Sequence, residues 1–244
     1  MLRIQMADHG SLAKTSLIAA LAQVCFGMLA IFPEAFGFNR ISSQRSTFDW
    51  VSGGLVLFGC LAIAAVLWLV FRDVESLNAS RPIGLAALTA AVLLSIENLP
   101  HIFGTVRNLS HSNDVFLWRD NPLRYASYVL VPAIPSFAVV SLVIFLVLVY
   151  RTSLGVPEQS AERRRNWGLR NASFTAFAAS IGAMGALMYA VATIHVGLTW
   201  GFGVRLLLRA ASIISLGIFF LLVGIRQNKA ALLVETPRAP ETLQ

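Results

Sequence analysis

Charge is scarce in this chain. Of its 244 residues, 13% are charged, and the acids number only twelve. A soluble domain carries about 25% charged residues. The shortage therefore excludes a soluble enzyme, and it excludes a disordered chain, which needs a polar composition. Cysteine is also rare. Cys25 and Cys60 both fall inside apolar runs, so no disulfide framework is expected. The sequence holds no C-x-x-C, H-E-x-x-H, G-x-S-x-G, P-loop or G-x-G-x-x-G pattern, which removes the familiar redox, hydrolase and nucleotide-binding signatures. Lysine occurs only at positions 14 and 229. Neither lies deep in an apolar stretch, so a buried Schiff-base lysine is excluded.

What fills the chain instead is apolar. The hydrophobic share is 57% and the mean hydropathy is +0.71. Six runs are long enough to cross a hydrocarbon core of about 30 Å, which takes roughly 20 residues of helix. They span residues 12–32, 51–71, 83–103, 126–150, 172–196 and 204–225. Lipid offers the backbone no hydrogen-bond partners, so each run is expected to be helical. A β-barrel would instead alternate in segments of about 10 residues. The expected fold is all-α: one polytopic bundle of six transmembrane helices over residues 1–228, with a flexible tail at 229–244. The first run exceeds the roughly 7–15 residues of a signal-peptide core, and Pro33-Glu34-Ala35 after it is no cleavage site. It reads as a retained helix.

The net charge is +7, yet the basic residues flank apolar runs rather than forming a broad face. Lipid headgroups, not nucleic acid, are the expected contact. Six spans put both termini on one side. That side carries twelve of the nineteen Lys and Arg residues, including Arg163-Arg164-Arg165. By the positive-inside rule it is the cytoplasmic side. Arginine outnumbers lysine by 17 to 2, a bias suited to a GC-rich bacterial source and hence to a bacterial cytoplasmic membrane. Three spans followed by three would also permit an inverted repeat. The segment Val115–Trp118 is too short to span and is expected at the interface, with Trp118, Tyr125 and Tyr128 in the aromatic belt.

Two features of the spans invite structural readings. Ala178, Gly182, Ala186 and Ala190 recur every four residues along the fifth span, beside Ala172, Ala176 and Ser180. Such rows let helices approach closely, which would make this span central. Pro132 and Pro135 in the fourth span are expected to bend it near its outer end.

Ionisable groups within a span cost several kcal/mol unless paired or hydrated, and they are site candidates for that reason. Glu97 is the only acid well inside a run. His101 follows four residues on, on the same helix face. Asn98 lies between them, and Pro100 frees the Ile96 carbonyl. The fifth span ends near His195, and the sixth begins with Arg205 and Arg209. All six side chains, Glu97, Asn98, His101, His195, Arg205 and Arg209, would sit in the outer half of the membrane. The expected pairing is Glu97 with Arg209. No catalytic residue is assigned.

A membrane scaffold, sensor or accessory subunit accounts for the small loops and sparse polar residues. A small transporter or ligand-binding bundle would use the Glu97, His101 and Arg209 pocket, and with six helices it would be expected to oligomerise. An intramembrane oxidoreductase would hold haem b or a metal between His101 and His195, with Glu97 and His111 as further ligands. No cofactor is the default expectation, and the expected partners are the lipid bilayer and a second copy or a membrane complex.

Overall fold

The computed structural model describes residues 2–31, 47–77, 79–111, 122–154, 166–193 and 200–235, with side chains over 9–31, 50–77, 79–107, 133–154, 166–192 and 201–228. Val115–Trp118, Tyr125 and Tyr128 lie outside the described side chains. Six helices cover nearly all of the described chain: α1 (Leu2–Ile31), α2 (Thr47–Arg72), α3 (Arg81–His111), α4 (Pro122–Leu154), α5 (Trp167–Thr193) and α6 (Trp200–Glu235). A short 3-10 turn, Val74–Leu77, joins α2 to α3. No strand occurs among the described residues. Each helix contains a stretch long and apolar enough to cross a membrane. The chain is a multi-pass helical membrane protein.

The helices run past the limits of hydropathy because polar ends continue the hydrogen-bonding pattern beyond the lipid. α6 extends to Glu235, since Ala230-Ala231-Leu232-Leu233 are good helix formers and no proline intervenes before Pro237. α4 begins at Pro122 and carries Pro132 and Pro135 within it, as neighbouring helices allow in a membrane. α3 continues through Pro100. Within the described residues its apolar stretch runs past residue 103 to Arg107, about 15 Å beyond Glu97.

Hydroxyl side chains within the spans are largely satisfied by their own helix. Thr89, Ser95 and Ser180 donate to the carbonyls of Leu85, Ala91 and Ala176, each four residues back, the local bond open to Ser and Thr in any helix. Polar groups that reach another helix are fewer and mark contacts. Gln23 Nε2 of α1 donates to Ala138 O of α4 at 3.1 Å. Thr105 of α3 shares a buried 3.0 Å bond with Ser136 of α4.

The six helices form a closed ring in the order α1, α2, α5, α6, α3, α4, and back to α1. It consists of three hairpins, α1–α2, α3–α4 and α5–α6. Each joint between hairpins sets the second helix of one against the first helix of the next. This three-part order is not an inverted repeat of halves. An exchange of α1–α3 with α4–α6 would require α4 to pack on α5 as α1 packs on α2, and α4 packs instead on α1 and α3.

α1 begins and α6 ends at the same end of the ring, the termini end; the other is the distal end. The core is concentrated toward the termini end. Leu12, Val66, Leu67, Val70, Ile83, Phe145, Leu146, Val149, Leu169, Phe219, Phe220 and Val223 are all buried there. Small residues let the hairpins close. A Cβ on Gly27 of α1 would lie 3.0 Å from Cys60 Cβ of α2. A Cβ on Gly84 of α3 would overlap the Ser153 hydroxyl of α4.

α5 is the exception, and it corrects the sequence reading. In its most apolar 18-residue stretch only 6% of residues are buried, against 28–39% in those of the other five. A Cβ on Gly182 or Gly185 would meet nothing within 4 Å. Ala178 is exposed, so the four-residue row does not serve close approach. The neighbouring row does: Ala176 is buried, and Ser180 packs against Gly217 of α6.

Candidate functional site

The small side chains of α5 line a void. Ala176, Ala179, Ser180, Ala183, Ala186, Leu187 and Ala190 form one wall of a cavity of about 410 Å³. Their spacing of three and four residues places them on a single helix face. Every other helix contributes to the remaining wall, with Gln23 and Phe26 from α1, Leu94 from α3 and Leu142 from α4 among its members. α2 supplies a stripe from Ser52 to Ile63, and α6 supplies Arg209, Ile213 and Leu216. The void exists because α5 presents alanine where its partners present leucine, valine and phenylalanine. Toward the termini end its lining reaches Leu142, Ala176 and Leu216, one turn short of the buried Phe145, Phe219 and Phe220.

Arg209 stands at the distal end of this cavity. Its Nε lies 3.9 Å from Glu97 Oε1 of α3. The two helices are ring neighbours, which is what brings the two residues into range. The Arg209 side chain is 64% exposed and that of Glu97 21%. The pair is loose, and much of the guanidinium edge is open.

Arg205 lies one turn further distal, on the α6 face that also carries Arg209 and Ile213. Leu207, Ile214 and Ile218 take the opposite, outward face and are exposed. His101 is exposed and lies seven residues from Leu94, thus two turns along the same side of α3. The outward side of α3 carries Leu85, Val92, Ile96 and Phe103. Glu97, His101, Arg205 and Arg209 therefore share the interior side of the ring at its distal end. Asn98 takes no part in the pair, since its Nδ2 donates to Leu94 O of its own helix at 2.9 Å. His195 lies outside the described residues, as does the side chain of His111. Among the described residues no three His, Cys, Asp or Glu side chains are grouped to hold a metal ion.

Two elements of the site escaped the sequence reading. Gln23 is buried at the cavity wall and spends one amide proton on α4; a lone amide in mid-span was the available signal. The alanines of α5 were visible, but as a packing row.

Exposure decides what the charged pair contributes to stability. Exposed pairs are worth about 0–1 kcal/mol, whereas breaking a buried pair costs about 3–5 kcal/mol. Glu97→Gln is expected to destabilise by less than about 1 kcal/mol, at the exposed end of that scale. Thermal unfolding of the detergent-solubilised protein checks this, and a loss of several kcal/mol would show the pair to be structural.

The ring, the cavity and its charged mouth define a membrane helix bundle with an internal compartment. No protein-family model, curated protein or solved structure matches the chain.

Proposed function

We propose that the chain is a ligand-binding bundle of the bacterial cytoplasmic membrane, serving as a receptor or carrier for a small molecule held inside the ring. The cavity carries this reading. Its volume of about 410 Å³ falls within the 300–1,000 Å³ usual for small-molecule sites, and its mixture of apolar walls with a few placed polar groups is typical of them. A void lined by alanine weakens a bundle. A scaffold that only anchors partners has no use for one, which favours this reading over a purely structural role. With the termini cytoplasmic, as the arginine distribution suggests, the mouth at Arg209 opens toward the outer leaflet.

Filling the void is the test. Ala183 is half-buried on the α5 wall, and Ala183→Trp places an indole in the cavity. Native mass spectrometry of the full-length protein, incubated with a panel of single-chain amphiphiles bearing acid, alcohol and amine heads, reads occupancy directly. Wild-type protein is expected to retain one molecule of at least one panel member. Ala183→Trp is expected to lose it, at least tenfold in affinity. Binding of no member, or equal binding by the variant, overturns the reading.

A further inference from the structure

The shape and the rim of the cavity narrow the ligand class. The lining runs along α5 from Ala176 to Ala190, a rise of about 21 Å. The void of about 410 Å³ is thus drawn out over about 21 Å of helix. Such a long groove suits an extended hydrocarbon chain. The walls suit such a chain: Phe26, Leu55, Val56, Ile63, Leu94, Val139, Leu142, Leu187 and Ile213 are apolar, and the α5 alanines leave the groove smooth.

The charge lies at one end only. Gly217 of α6 packs at the level of Ser180 of α5, so Arg209, eight residues distal on α6, stands level with the distal end of the alanine wall, about 12 Å away. Arg209 meets the carboxylate of Glu97, and Arg205 stands one turn further distal on the same face of α6, so among the described residues two guanidinium groups lie at this end of the void beside one carboxylate. Arginines near the end of a span commonly reach out to headgroups. These two lie on the inward face of α6 instead, and Arg209 touches both the void and Glu97. A guanidinium offers its donors in a planar fork that matches carboxylate and phosphate oxygens. With Arg209 64% exposed, that fork is open to an incoming anion.

We infer that the ligand is an anionic amphiphile, its acidic head at Arg205 and Arg209 and its single acyl chain extended down the α5 wall. This rests on the ligand-binding reading above and sharpens it. The same chemistry is carried by a free long-chain carboxylic acid and by one chain of an anionic phospholipid. One chain extended along about 21 Å of wall follows the whole α5 lining, whereas a phospholipid carries two chains, which favours the free acid.

Native mass spectrometry of the full-length protein with dodecanoic acid, dodecanol, dodecylamine and dioleoyl phosphatidylglycerol separates the outcomes. Dodecanoic acid is expected to bind at least tenfold more tightly than the alcohol or the amine. Arg209→Gln and Arg205→Gln are each expected to weaken the acid about tenfold and leave the alcohol unchanged. Glu97→Gln, which removes the opposing carboxylate, is expected to strengthen acid binding severalfold. Preferential retention of phosphatidylglycerol, with the same arginine dependence, keeps the anionic class and assigns it to a membrane lipid. Equal binding of acid, alcohol and amine, insensitive to the arginines but abolished by Ala183→Trp, overturns the anionic class while the ligand-binding bundle stands. Failure of every probe, with Ala183→Trp indistinguishable from wild type, overturns both.

Discussion

Gly84→Val is expected to abolish recovery of folded protein, and Gly84→Ala to destabilise it by about 2–3 kcal/mol, the upper part of the range for overpacking a core. The reason is a single seam. Gly84 opens the first turns of α3, and Ser153 lies in the last turn of α4. Both are buried. Even a methyl group at position 84 would fall on the Ser153 hydroxyl and stand 2.6 Å from Ser153 Cβ, closer than unbonded carbons approach. Turning the hydroxyl away would break its 2.6 Å bond to Tyr150 O and still leave the Cβ clash. One helix must therefore move. In a ring closed on both sides that motion disturbs two interfaces, not one. The exchange Gly84→Ala with Ser153→Gly moves the side chain across the seam and is expected to recover most of the loss. Ser153→Ala should recover less, because its Cβ remains. Thermal midpoints of the four proteins in one detergent check the coupling, as contacting residues show interaction energies of about 0.5–3 kcal/mol. If the losses simply add, α3 and α4 do not meet there.

Helix number and approximate limits were legible because lipid demands runs of about 20 apolar residues and permits little else. The order of the ring was not. A helix that is apolar all round does not announce which face meets protein, so neither the joint of α2 to α5 nor that of α6 to α3 was readable. The small residues illustrate why. Gly84 is one glycine among 17, and a Cβ there would collide with α4, while Gly182 in a regular row faces open space. Spacing marks a smooth face; only the partner decides whether that face is packed or hollow. The charged residues were easier. Glu97 and Arg209 stood out because a membrane span tolerates few ionisable groups, and the structure sets them 3.9 Å apart. That their neighbourhood includes a cavity was hidden, since the void belongs to α5.

Gln227→Leu is expected to cost about 2–4 kcal/mol, because the buried Ser76 carbonyl and the half-buried Asn166 N–H lose their partner; an unsatisfied buried group costs about 1–3 kcal/mol and a half-buried one less. Gln227 is buried near the termini end of α6. Its Oε1 accepts the Asn166 N–H at 3.1 Å, and its Nε2 donates to Ser76 O in the turn between α2 and α3. Asn166 in turn caps α5 by accepting the Leu169 N–H at 3.0 Å. One amide thus holds the start of α5, the end of α6 and the α2–α3 turn together, the three segments that complete this end of the ring. Leucine keeps the volume but can serve neither group, and asparagine is one methylene too short to reach both. Both variants are expected to lower the thermal midpoint, and Gln227→Leu to speed amide exchange at Asn166 and Leu169. The distal end is held by other bonds, such as Thr105 to Ser136, so acid binding at the Arg209 rim should persist in the folded fraction. That separation would place the stability of the bundle at the termini end and its binding chemistry at the other. An unchanged midpoint with unchanged exchange at Asn166 would show that the seam does not depend on Gln227.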